Sequence, residues 1–509
     1  MGMRFGIGIQ DFELLREKGY GYVDKTRQIV DFMDAAPRAF LSRPRRFGKS
    51  LTISTIKELY SGKRELFEGL WAYNNWDFGK RIRPVIWLRF GGGGFGRGVA
   101  EATIRRVIAV AAADLAVELT ETENAASLSE LIAAAASNTP TGRVIILVDE
   151  YDKPVVDQLD DLAVAEQNIV FLREIYSVFK AYDHLIEYLL LTGVSALSKV
   201  SVFSGLNNLQ DMTLAPAART LVGITEAEID EHFGGLIAER GYDRGLMREW
   251  YNGYSWGGDR LYNPWSLTNF LTSGQFFNHW ASTGSPRWLV LQMRDAMSIP
   301  RTPAYADQQE LTNLTAGRLS VVPLLFQTGY LTIVGQNDSD FELDYPNREV
   351  RQTIEAAFLS SLIDEGSPTE LRNRIRRALL RTDRPDVPTV VQSLNALFAE
   401  VPYHLWGPEG AETERIFHLV VYLVFRLTGI HVRAEVATAR GRADAVVETD
   451  THVIGFEFKL DGSAAEALEQ VKDRDYLRPH VGGPKGVLAV GVNFSSAARR
   501  LDDFSVEAV

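Results

Sequence analysis

The run Val144-Ile145-Ile146-Leu147-Val148 leaves few folds open to this chain, because it is apolar on both faces. Such a run is typical of a strand buried in a parallel sheet between two layers of helices. Three other short apolar runs alternate with longer helical segments, at Ala39–Ser42, Pro84–Leu88 and Tyr188–Leu191. This alternation predicts an α/β fold with a doubly wound parallel sheet. Ligands of such sheets bind beyond the carboxyl ends of the strands, so the residues that follow each run are the first candidates for a site.

The run Ala39–Ser42 leads into a segment that matches half of the phosphate-loop pattern. That pattern has Gly, four residues, then Gly-Lys-Ser/Thr. Gly48-Lys49-Ser50 fit it, whereas Arg43 stands where the first glycine is expected. Gly48 allows the backbone to approach phosphates, the Lys49 ammonium reaches the β- and γ-phosphates, and the Ser50 hydroxyl ligates Mg²⁺.

The run Val144–Val148 supplies the other half of a nucleotide site. It is followed by Asp149-Glu150, and the run Tyr188–Leu191 is followed by Thr192. An Asp at this place holds the Mg²⁺ shell, and a neighbouring carboxylate activates water. We therefore predict an ATP·Mg²⁺ site with Ser50 and Asp149 at the metal and Glu150 as the catalytic carboxylate that activates water. The predicted cofactor-binding residues are Arg45, Arg46, Phe47, Gly48, Lys49, Ser50, Leu51, Asp149 and Thr192.

A second candidate site lies near the C-terminus, where residues 441–447 and 453–460 flank the polar turn Thr449–His452. A hairpin centred between Asp450 and Thr451 places Asp444 directly opposite Glu457, and Lys459 shares their face. Facing carboxylates repel unless a cation lies between them, and oxygen ligands favour Mg²⁺ or Mn²⁺. Asp444 and Glu457 are thus the predicted metal ligands, and Lys459 would position water and stabilise phosphate charge. The alternative is an ordinary half-exposed hairpin.

Side chains on the flanking helices are further candidates for this second site. Glu414, on a predicted helix over 412–427, would add a carboxylate, and Gln470, on a helix that starts near Ser463, would orient water or a phosphate. His418 lies one turn after Glu414 and is either a site residue or structural, and Glu435 is an alternative acid. Six arginines between 372 and 384 form either a phosphate-binding patch or a solvated helix face.

Length and composition limit the rest. The 509 residues predict three domains, which we place at 1–223, 224–401 and 402–509. The middle one is predicted to be helical, with a helix and hairpin over 319–343 that form either a winged-helix element or a plain hairpin. The chain lacks cysteine, which excludes thiolate metal sites, and its net charge is −12, so any nucleic-acid contact must be local. Signal peptide and membrane-spanning runs are not expected, which predicts a cytoplasmic protein.

Several motifs together resemble bacterial and archaeal AAA-ATPase-like proteins fused to a C-terminal PD-(D/E)XK nuclease domain. They are Tyr22–Thr26, Arg43–Ser50, Leu147–Asp152, Leu191–Ser195, Phe203–Leu209, Tyr251–Tyr254, Tyr345–Val350 and Phe456–Gly462. In that family the Arg-Pro-Arg-Arg-Phe-Gly-Lys-Ser form of the loop is usual.

The resemblance implies ATPase roles for Lys49, Ser50, Asp149 and Glu150, nuclease roles for Asp444, Glu457 and Lys459, and an added acid at Glu414. It implies a nucleic acid substrate, with DNA favoured over RNA, in a homo-oligomer without membrane contact. Arg45, Arg46 and Arg219 are the candidate arginine fingers. A nuclease gated by nucleotide and used in genome defence or mobile-element control is the resulting hypothesis. The competing hypothesis is an ATP-dependent sensor or scaffold that binds nucleic acid or a protein without cutting.

Overall fold

The fold is described from a computed structural model of the chain. It describes residues 4–195, 203, 206, 208–280, 287–295, 299, 302–312, 320–363, 368–406, 411–438, 441–473 and 477–509, without the side chains at 287, 288, 295, 368, 411, 412, 415, 431–438, 441–444 and 473. Contacts divide the chain into two compact units. Unit 1 is Met1–Leu289 with Pro300–Arg351, and unit 2 is Val290–Ile299 with Gln352–Val509.

The predicted parallel sheet forms the centre of unit 1. Its strands are β1 (Arg38–Ser42), β2 (Val85–Arg89), β3 (Val144–Asp149), β4 (Ile186–Gly193) and β5 (Gln210–Asp211), in the order β2-β3-β4-β1-β5. All the pairings are parallel. Every residue of β3 is buried, as its apolar run predicts. The predicted α/β fold of the N-terminal part is therefore confirmed.

Helices cover this sheet and continue beyond it. They are α1 (Phe12–Glu17), α2 (Thr26–Ala35), α3 (Lys49–Ser61), α4 (Ala72–Asn75), α5 (Ala100–Asp114), α6 (Asn124–Ser137), α7 (Lys153–Val156), α8 (Leu162–Ala181), α9 (Glu226–Arg240), α10 (Arg244–Tyr251), α11 (Pro264–Ser273) and α12 (Arg287–Asp295), of which α12 continues from unit 1 into unit 2. Local sequence sets several of their ends. Thr225 and Glu228 form a capping box at the start of α9, and Gly241 ends that helix in a left-handed conformation.

The predicted helix and hairpin of the middle region are present, with one strand more than expected. Strand β6 (Ala304–Asp307) precedes α13 (Gln308–Thr312) and α14 (Val321–Thr328), and the hairpin follows as β7 (Thr332–Asn337) and β8 (Asp340–Asp344). The three strands pair in the order β6-β8-β7. This order of elements fits a winged-helix element. Helix α14 and the hairpin contain no basic residue, so they offer no cationic surface to nucleic acid.

Unit 2 contains the C-terminal sheet and the helices that pack on it. The helices are α15 (Arg348–Ser361, which begins in unit 1), α16 (Pro368–Leu379), α17 (Val387–Ala399), α18 (Ala411–Leu427) and α19 (Ala464–Asp473). The strands are β9 (His431–Thr438), β10 (Gly441–Glu448), β11 (His452–Leu460), β12 (Gly486–Ser495) and β13 (Arg500–Ala508). They form a mixed sheet in which only β11 and β12 pair in parallel. The predicted C-terminal α/β fold is confirmed.

The contact-based division differs from the three predicted domains. The boundary predicted at 223/224 lies inside unit 1, and the one at 401/402 lies inside unit 2. Helix α17 packs on the C-terminal sheet, since Phe398 contacts the rings of Phe417 and Phe494 and the Asn395 amide exchanges two hydrogen bonds with the backbone of Leu501. The three-domain division stays a prediction. None of the described helices has the length and apolarity needed to cross a bilayer.

Candidate functional site

The loop between β1 and α3 has the backbone of a phosphate-binding loop. Gly48 (φ 96°) and Arg46 (φ 67°) are left-handed, while the residues between and around them have negative φ. Alternation of this kind turns successive N–H groups toward one concave side, which binds anions. The buried Lys49 ammonium donates hydrogen bonds to the carbonyl oxygens of Arg43 and Pro44, at 2.8 and 2.9 Å. Burial lowers the pKa of Lys49, whereas the nearby Asp149 raises it.

Arg43, at the position of the missing glycine, is fully buried. Its guanidinium donates to the carbonyl oxygens of Ser42, Thr213 and Ala218 at 2.7–2.8 Å and lies 4.1 Å from the Trp256 ring centroid. Burial lowers its pKa to about 9. The φ of Arg43 is negative, so this position does not require glycine, and the side chain ties the loop to the segment that precedes α9.

The acidic residues after β3 lie beside this loop. The Thr192 hydroxyl, on the neighbouring strand β4, donates a hydrogen bond of 2.9 Å to the buried Asp149 carboxylate. Glu150 adopts φ 56°, and burial raises its pKa, with a further contribution from the charge of Asp149. A Cβ added at Gly91 would lie 2.9 Å from the Glu150 carboxylate. Gly91, in the glycine-rich segment after β2, thus makes room for Glu150.

A cavity of about 420 Å³ opens over the loop. Of the predicted cofactor-binding residues it is lined by Arg45, Arg46, Phe47, Gly48, Lys49, Ser50 and Leu51, and Glu150 lines it as well. Asp149 and Thr192 lie behind this lining. The Phe47 ring points away into an aromatic cluster with Tyr254 and Trp256, so Phe47 offers its backbone to the cavity. The predicted loop residues and Glu150 are therefore brought together, with Asp149 one residue away.

Three parts of the cavity wall were missed by sequence reasoning. They are the N-terminal segment 5–10, residues 221–224 before α9, and Pro264, Trp265 and Thr268 of α11. Arg46 lies 4.4 Å over the Trp265 ring. No nearby sequence signal marks these residues, because they come from three separate segments.

Four charged residues of the wall also escaped prediction as site residues: Lys25 and Asp152, which lie in quoted motifs, and Lys153 and Asp157. The buried Lys25 ammonium binds the Glu228 carboxylate and the Thr220 carbonyl oxygen. The buried Asp152 carboxylate accepts hydrogen bonds from the Val194 and Ser195 amides and the Ser195 hydroxyl. Burial raises the pKa of Asp152. Lys25 and Asp152 connect the cavity wall to more distant segments.

The C-terminal hairpin has the predicted register. Ala445, Val446, Val447 and Glu448 pair with Phe456, Gly455, Ile454 and Val453 in turn. The pairing ends at Ala445 and Phe456; one further pair in the same register would join Asp444 and Glu457, whose facing arrangement stays a prediction because the Asp444 side chain lies outside the described residues. Glu457 is 3% exposed. On its other side β11 pairs Glu457 with Gly491 of β12.

The start of α19 packs on the same face of the sheet as Glu457. A Cβ at Gly491 would lie 2.3 Å from the Ala464 carbonyl oxygen and 2.4 Å from the Leu468 nitrogen, so the helix touches the β12 backbone there. Lys459 is half-buried and lies beside Gly462, at the turn into α19. Gln470 is half-buried on α19 itself. The structure thus brings Glu457, Lys459 and the first turn of α19 together.

Helix α18 covers the other face of the sheet. Phe417 and Phe425 contact Phe458 and Phe456, whose side chains point away from the Glu457 face. Glu414 is half exposed, and its carboxylate lies 3.6 Å from the His418 ring nitrogen. No described contact joins Glu414 to Glu457. Within the described side chains, no group of three or more His, Asp or Glu could hold a metal; the side chains of Asp444 and Glu435 lie outside them.

The arginines between 372 and 384 lie on α16 and just after it. Arg374, Arg376 and Arg377 are exposed, while Ile375 and Leu379 face the core. Arg374 donates to the Gln392 side chain, and Arg381 pairs with Asp383. Both predicted interpretations of this segment remain open.

Comparison with known proteins agrees with this geometry. A family model described as "Predicted AAA-ATPase" matches residues 6–203, and one described as "PD-(D/E)XK nuclease superfamily" matches residues 412–504. The "Uncharacterized protein in vnfD 5'region" of Azotobacter chroococcum mcd 1 is 37% identical over 517 residues, which span 99% of this chain and 98% of that protein. The chain belongs to this family of AAA-ATPase-like proteins with a PD-(D/E)XK nuclease domain. No solved structure matches the chain.

The two matches separate the two candidate sites. The ATPase-like match contains the loop, Asp149, Glu150 and Thr192, and the nuclease match contains Glu414, Asp444, Glu457, Lys459 and Gln470. Parts of the cavity wall, at 221–224 and 264–268, lie outside the ATPase-like match.

Proposed function

We propose that the protein binds and hydrolyses ATP and cleaves nucleic acid, with DNA favoured over RNA, in a reaction that requires a divalent metal. The observation that carries the ATPase part is the cavity in which Lys49 and Glu150 meet beyond the strand ends. The nuclease part rests on the register of β10 and β11, which one further pair would extend to Asp444 and Glu457. Homo-oligomerisation, a cytoplasmic location, nucleotide gating and a role in genome defence or mobile-element control belong to the same hypothesis.

The residues of the cavity fit ATP with Mg²⁺. The N–H groups around Arg46 and Gly48 bind the phosphates, and the Lys49 ammonium exchanges its two loop carbonyls for phosphate oxygens. Ser50 and Asp149 would hold Mg²⁺, which neutralises phosphate charge when it is bound. Glu150 accepts the proton of the attacking water, because its raised pKa makes it a stronger base than an exposed glutamate. Thr192 keeps Asp149 oriented through its hydrogen bond.

The donor set of the second site fits Mg²⁺ or Mn²⁺. Glu457 and Asp444 would supply the carboxylate ligands, and the metal provides Lewis acidity at the phosphodiester. Lys459 positions the attacking water and stabilises the charge that develops on the phosphate. Gln470, on the helix that covers this face, orients the water or the phosphate, and Glu414 would add an acid.

The test measures ATP hydrolysis and cleavage of single- and double-stranded DNA and RNA, with Mg²⁺ or Mn²⁺, with and without ATP. We expect Glu150→Gln to lower hydrolysis by about 10²- to 10⁴-fold while ATP still binds, and Lys49→Ala to weaken binding. Glu457→Gln should abolish cleavage and leave hydrolysis intact. The exposed Glu469→Gln, on α19, is the matched control.

The results separate the parts of this hypothesis. Gating requires that the cleavage rate differ between the ATP-bound Glu150→Gln protein and the nucleotide-free protein. If no substrate is cleaved with either metal, or if cleavage survives Glu457→Ala unchanged, the nuclease proposal is wrong. Nucleic acid binding without cleavage would instead support the scaffold hypothesis.

A further inference from the structure

Tyr403 is unusually exposed for an aromatic residue. It lies in the short 3-10 helix Tyr403–Leu405 of unit 2, and 80% of its surface is accessible. The Arg499 guanidinium lies 4.1 Å from the centre of its ring and 5.8 Å from that of Trp406. Arg500 follows and is exposed. Tyr403, Trp406, Arg499 and Arg500 together are called the Tyr403 platform below.

The platform is held in place by the core beneath it. Trp406 is 2% exposed, its indole N–H donates to the Val401 carbonyl oxygen at 3.2 Å, and its ring stacks on Phe494. Arg499 adopts φ 50° in the turn between β12 and β13. A left-handed conformation at a residue other than glycine is unfavourable and persists when the surrounding structure demands it. The Arg499 guanidinium is therefore held against the Tyr403 ring by a preorganised turn.

The turn that carries Arg499 lies at the strand ends closest to the candidate nuclease residues. Leu460, the last residue of β11, pairs with Phe494 near the end of β12. Beyond this pair, the Asp461 carboxylate accepts hydrogen bonds from the backbone N–H and hydroxyl of Ser496, at 2.8 and 2.6 Å. Lys459 is the residue before Leu460. The platform and the Glu457–Lys459 pair thus lie at the same ends of β11 and β12, with Trp406 on the Phe494 face of the sheet and Glu457 on the opposite face.

The chemistry of the platform matches a nucleotide. The cleft beside it has a volume of about 900 Å³, and the charged residues among its described lining are Arg499, Arg500 and Glu400, so this described lining is cationic in a chain whose net charge is −12. Exposed aromatic rings bind unpaired bases by stacking, and neighbouring arginines contact the phosphates. We propose that the Tyr403 platform binds single-stranded nucleic acid beside the candidate nuclease site, with Tyr403 stacked on an unpaired base. This inference rests on the proposed nuclease function.

The test measures binding apart from cleavage. Full-length protein carrying Glu457→Gln is titrated with a fluorescent single-stranded oligonucleotide and with the matching duplex. Tyr403→Ala should weaken single-strand binding by about 5- to 100-fold, the range expected for the loss of one stacked base. Tyr403→Phe should bind normally. Arg499→Ala should lower the slope of log affinity against log salt by about 0.7.

Two further variants keep the test decisive. Tyr305→Ala removes a tyrosine that is 56% exposed in unit 1, and its binding should be unchanged. Tyr403→Leu, which keeps an apolar side chain but no ring, should lose affinity as Tyr403→Ala does, and it replaces that variant should the alanine protein unfold.

The outcomes distinguish this inference from the proposed function. Equal single-strand affinity for Tyr403→Leu and Tyr403→Phe overturns the inference even where the wild-type protein cleaves nucleic acid. The cleft would then be a candidate binding site for a protein partner instead. Equal losses on the single strand and the duplex overturn base stacking. Absence of cleavage by the wild-type protein overturns the nuclease function while the binding result still stands.

Discussion

Arg43 holds the phosphate loop through contacts that do not involve the nucleotide cavity. Its guanidinium joins the loop to the Thr213 and Ala218 carbonyl oxygens and is not among the described residues that line the cavity. The first glycine of the phosphate-loop pattern can therefore be replaced by arginine without loss of the backbone geometry at Gly48 and Lys49. The position is structural, and its substitution should be read first as a change in stability.

Replacing Arg43 with glycine should lower both stability and ATP affinity, although it restores the common phosphate-loop sequence. Arg43→Gly leaves buried carbonyl groups without a donor, which costs about 3 kcal/mol of unfolding free energy. ATP affinity should fall because the loop loses its support. Urea unfolding and nucleotide titration measure the two effects. Arg45→Gly, at an exposed position of the same loop, is the control and should change stability less; a rise in ATP affinity for Arg43→Gly would contradict the argument.

Glu349 should make the stability of unit 1 depend on pH. It is 1% exposed and accepts a hydrogen bond from the Trp280 amide, and burial raises its pKa to about 7 from 4.5. Between these values the folded state keeps a proton that the unfolded state releases. Stability that is present below pH 4.5 is therefore lost as pH rises toward 7, by about 3 kcal/mol for this group.

Glu349→Gln keeps an acceptor oxygen for the Trp280 amide but cannot ionise. Relative to wild type, the variant should gain unfolding free energy steadily from pH 5 to pH 7 and no further above that. Urea unfolding at a series of pH values measures this difference, in which the contributions of other titrating groups cancel. A difference that stays constant from pH 5 to pH 8 would show that Glu349 is not the group responsible.

At the scale of elements, the candidate nuclease face depends on how closely α19 approaches β12. The contact at Gly491 leaves no room for a side chain, because the nearest atoms are the backbone of Ala464 and Leu468. Backbone atoms cannot turn aside as a side chain can. The helix must shift as a whole if this glycine is replaced, and Gln470 and the turn beside Lys459 would shift with it.

Gly491→Ala should therefore destabilise unit 2 and impair cleavage together. Overpacking of this kind costs about 1–3 kcal/mol, and ATP hydrolysis in unit 1 should be spared. Thermal unfolding and the two activity assays test this. Gly234→Ala in α9 is the matched control, since a Cβ there meets no atom within 4 Å and should stabilise the helix by up to about 1 kcal/mol. Equal unfolding temperatures for Gly491→Ala and wild type would contradict the packing argument.

At the scale of the molecule, the helices α16 and α17, which precede residue 402, belong to the same unit as the C-terminal sheet. A fragment that starts at 402 lacks Phe398 and the Asn395 side chain, which contact Phe417, Phe494 and Leu501. Exposed aromatic rings in such a fragment favour aggregation. The predicted boundary at 401/402 would therefore cut through a packed core.

We expect a fragment of residues 352–509 to fold cooperatively and one of 402–509 to remain unfolded or to aggregate. Thermal unfolding followed by circular dichroism, with size-exclusion chromatography, distinguishes the two. Asn395→Ala in the longer fragment should lower its unfolding temperature, because two hydrogen bonds to Leu501 are lost. A cooperative transition in the shorter fragment would support the predicted boundary instead.

Residues close in sequence were enough to predict much of the fold. Apolar periodicity indicated the first four strands, helix α18 and the hairpin of β10 and β11, because each pattern is complete within one element. Adjacent residues likewise indicated Gly48-Lys49-Ser50, Asp149-Glu150 and the pairing register that leads to Glu457. Strands β5, β6, β12 and β13 were not predicted. Of these, β5 has two residues and β6 has four, so the patterns of these two are too short to stand out.

The sequence by itself thus determined the order of elements, the α/β class and the residue types of both candidate sites. Only the tertiary structure decided which distant residues meet: Arg43 with Ala218, Lys25 with Glu228, and Tyr403 with Arg499. The reason is physical. Hydrophobic periodicity and turn chemistry act over a few residues, whereas these contacts join segments 96 to 203 residues apart and exist only after helices and sheets have packed.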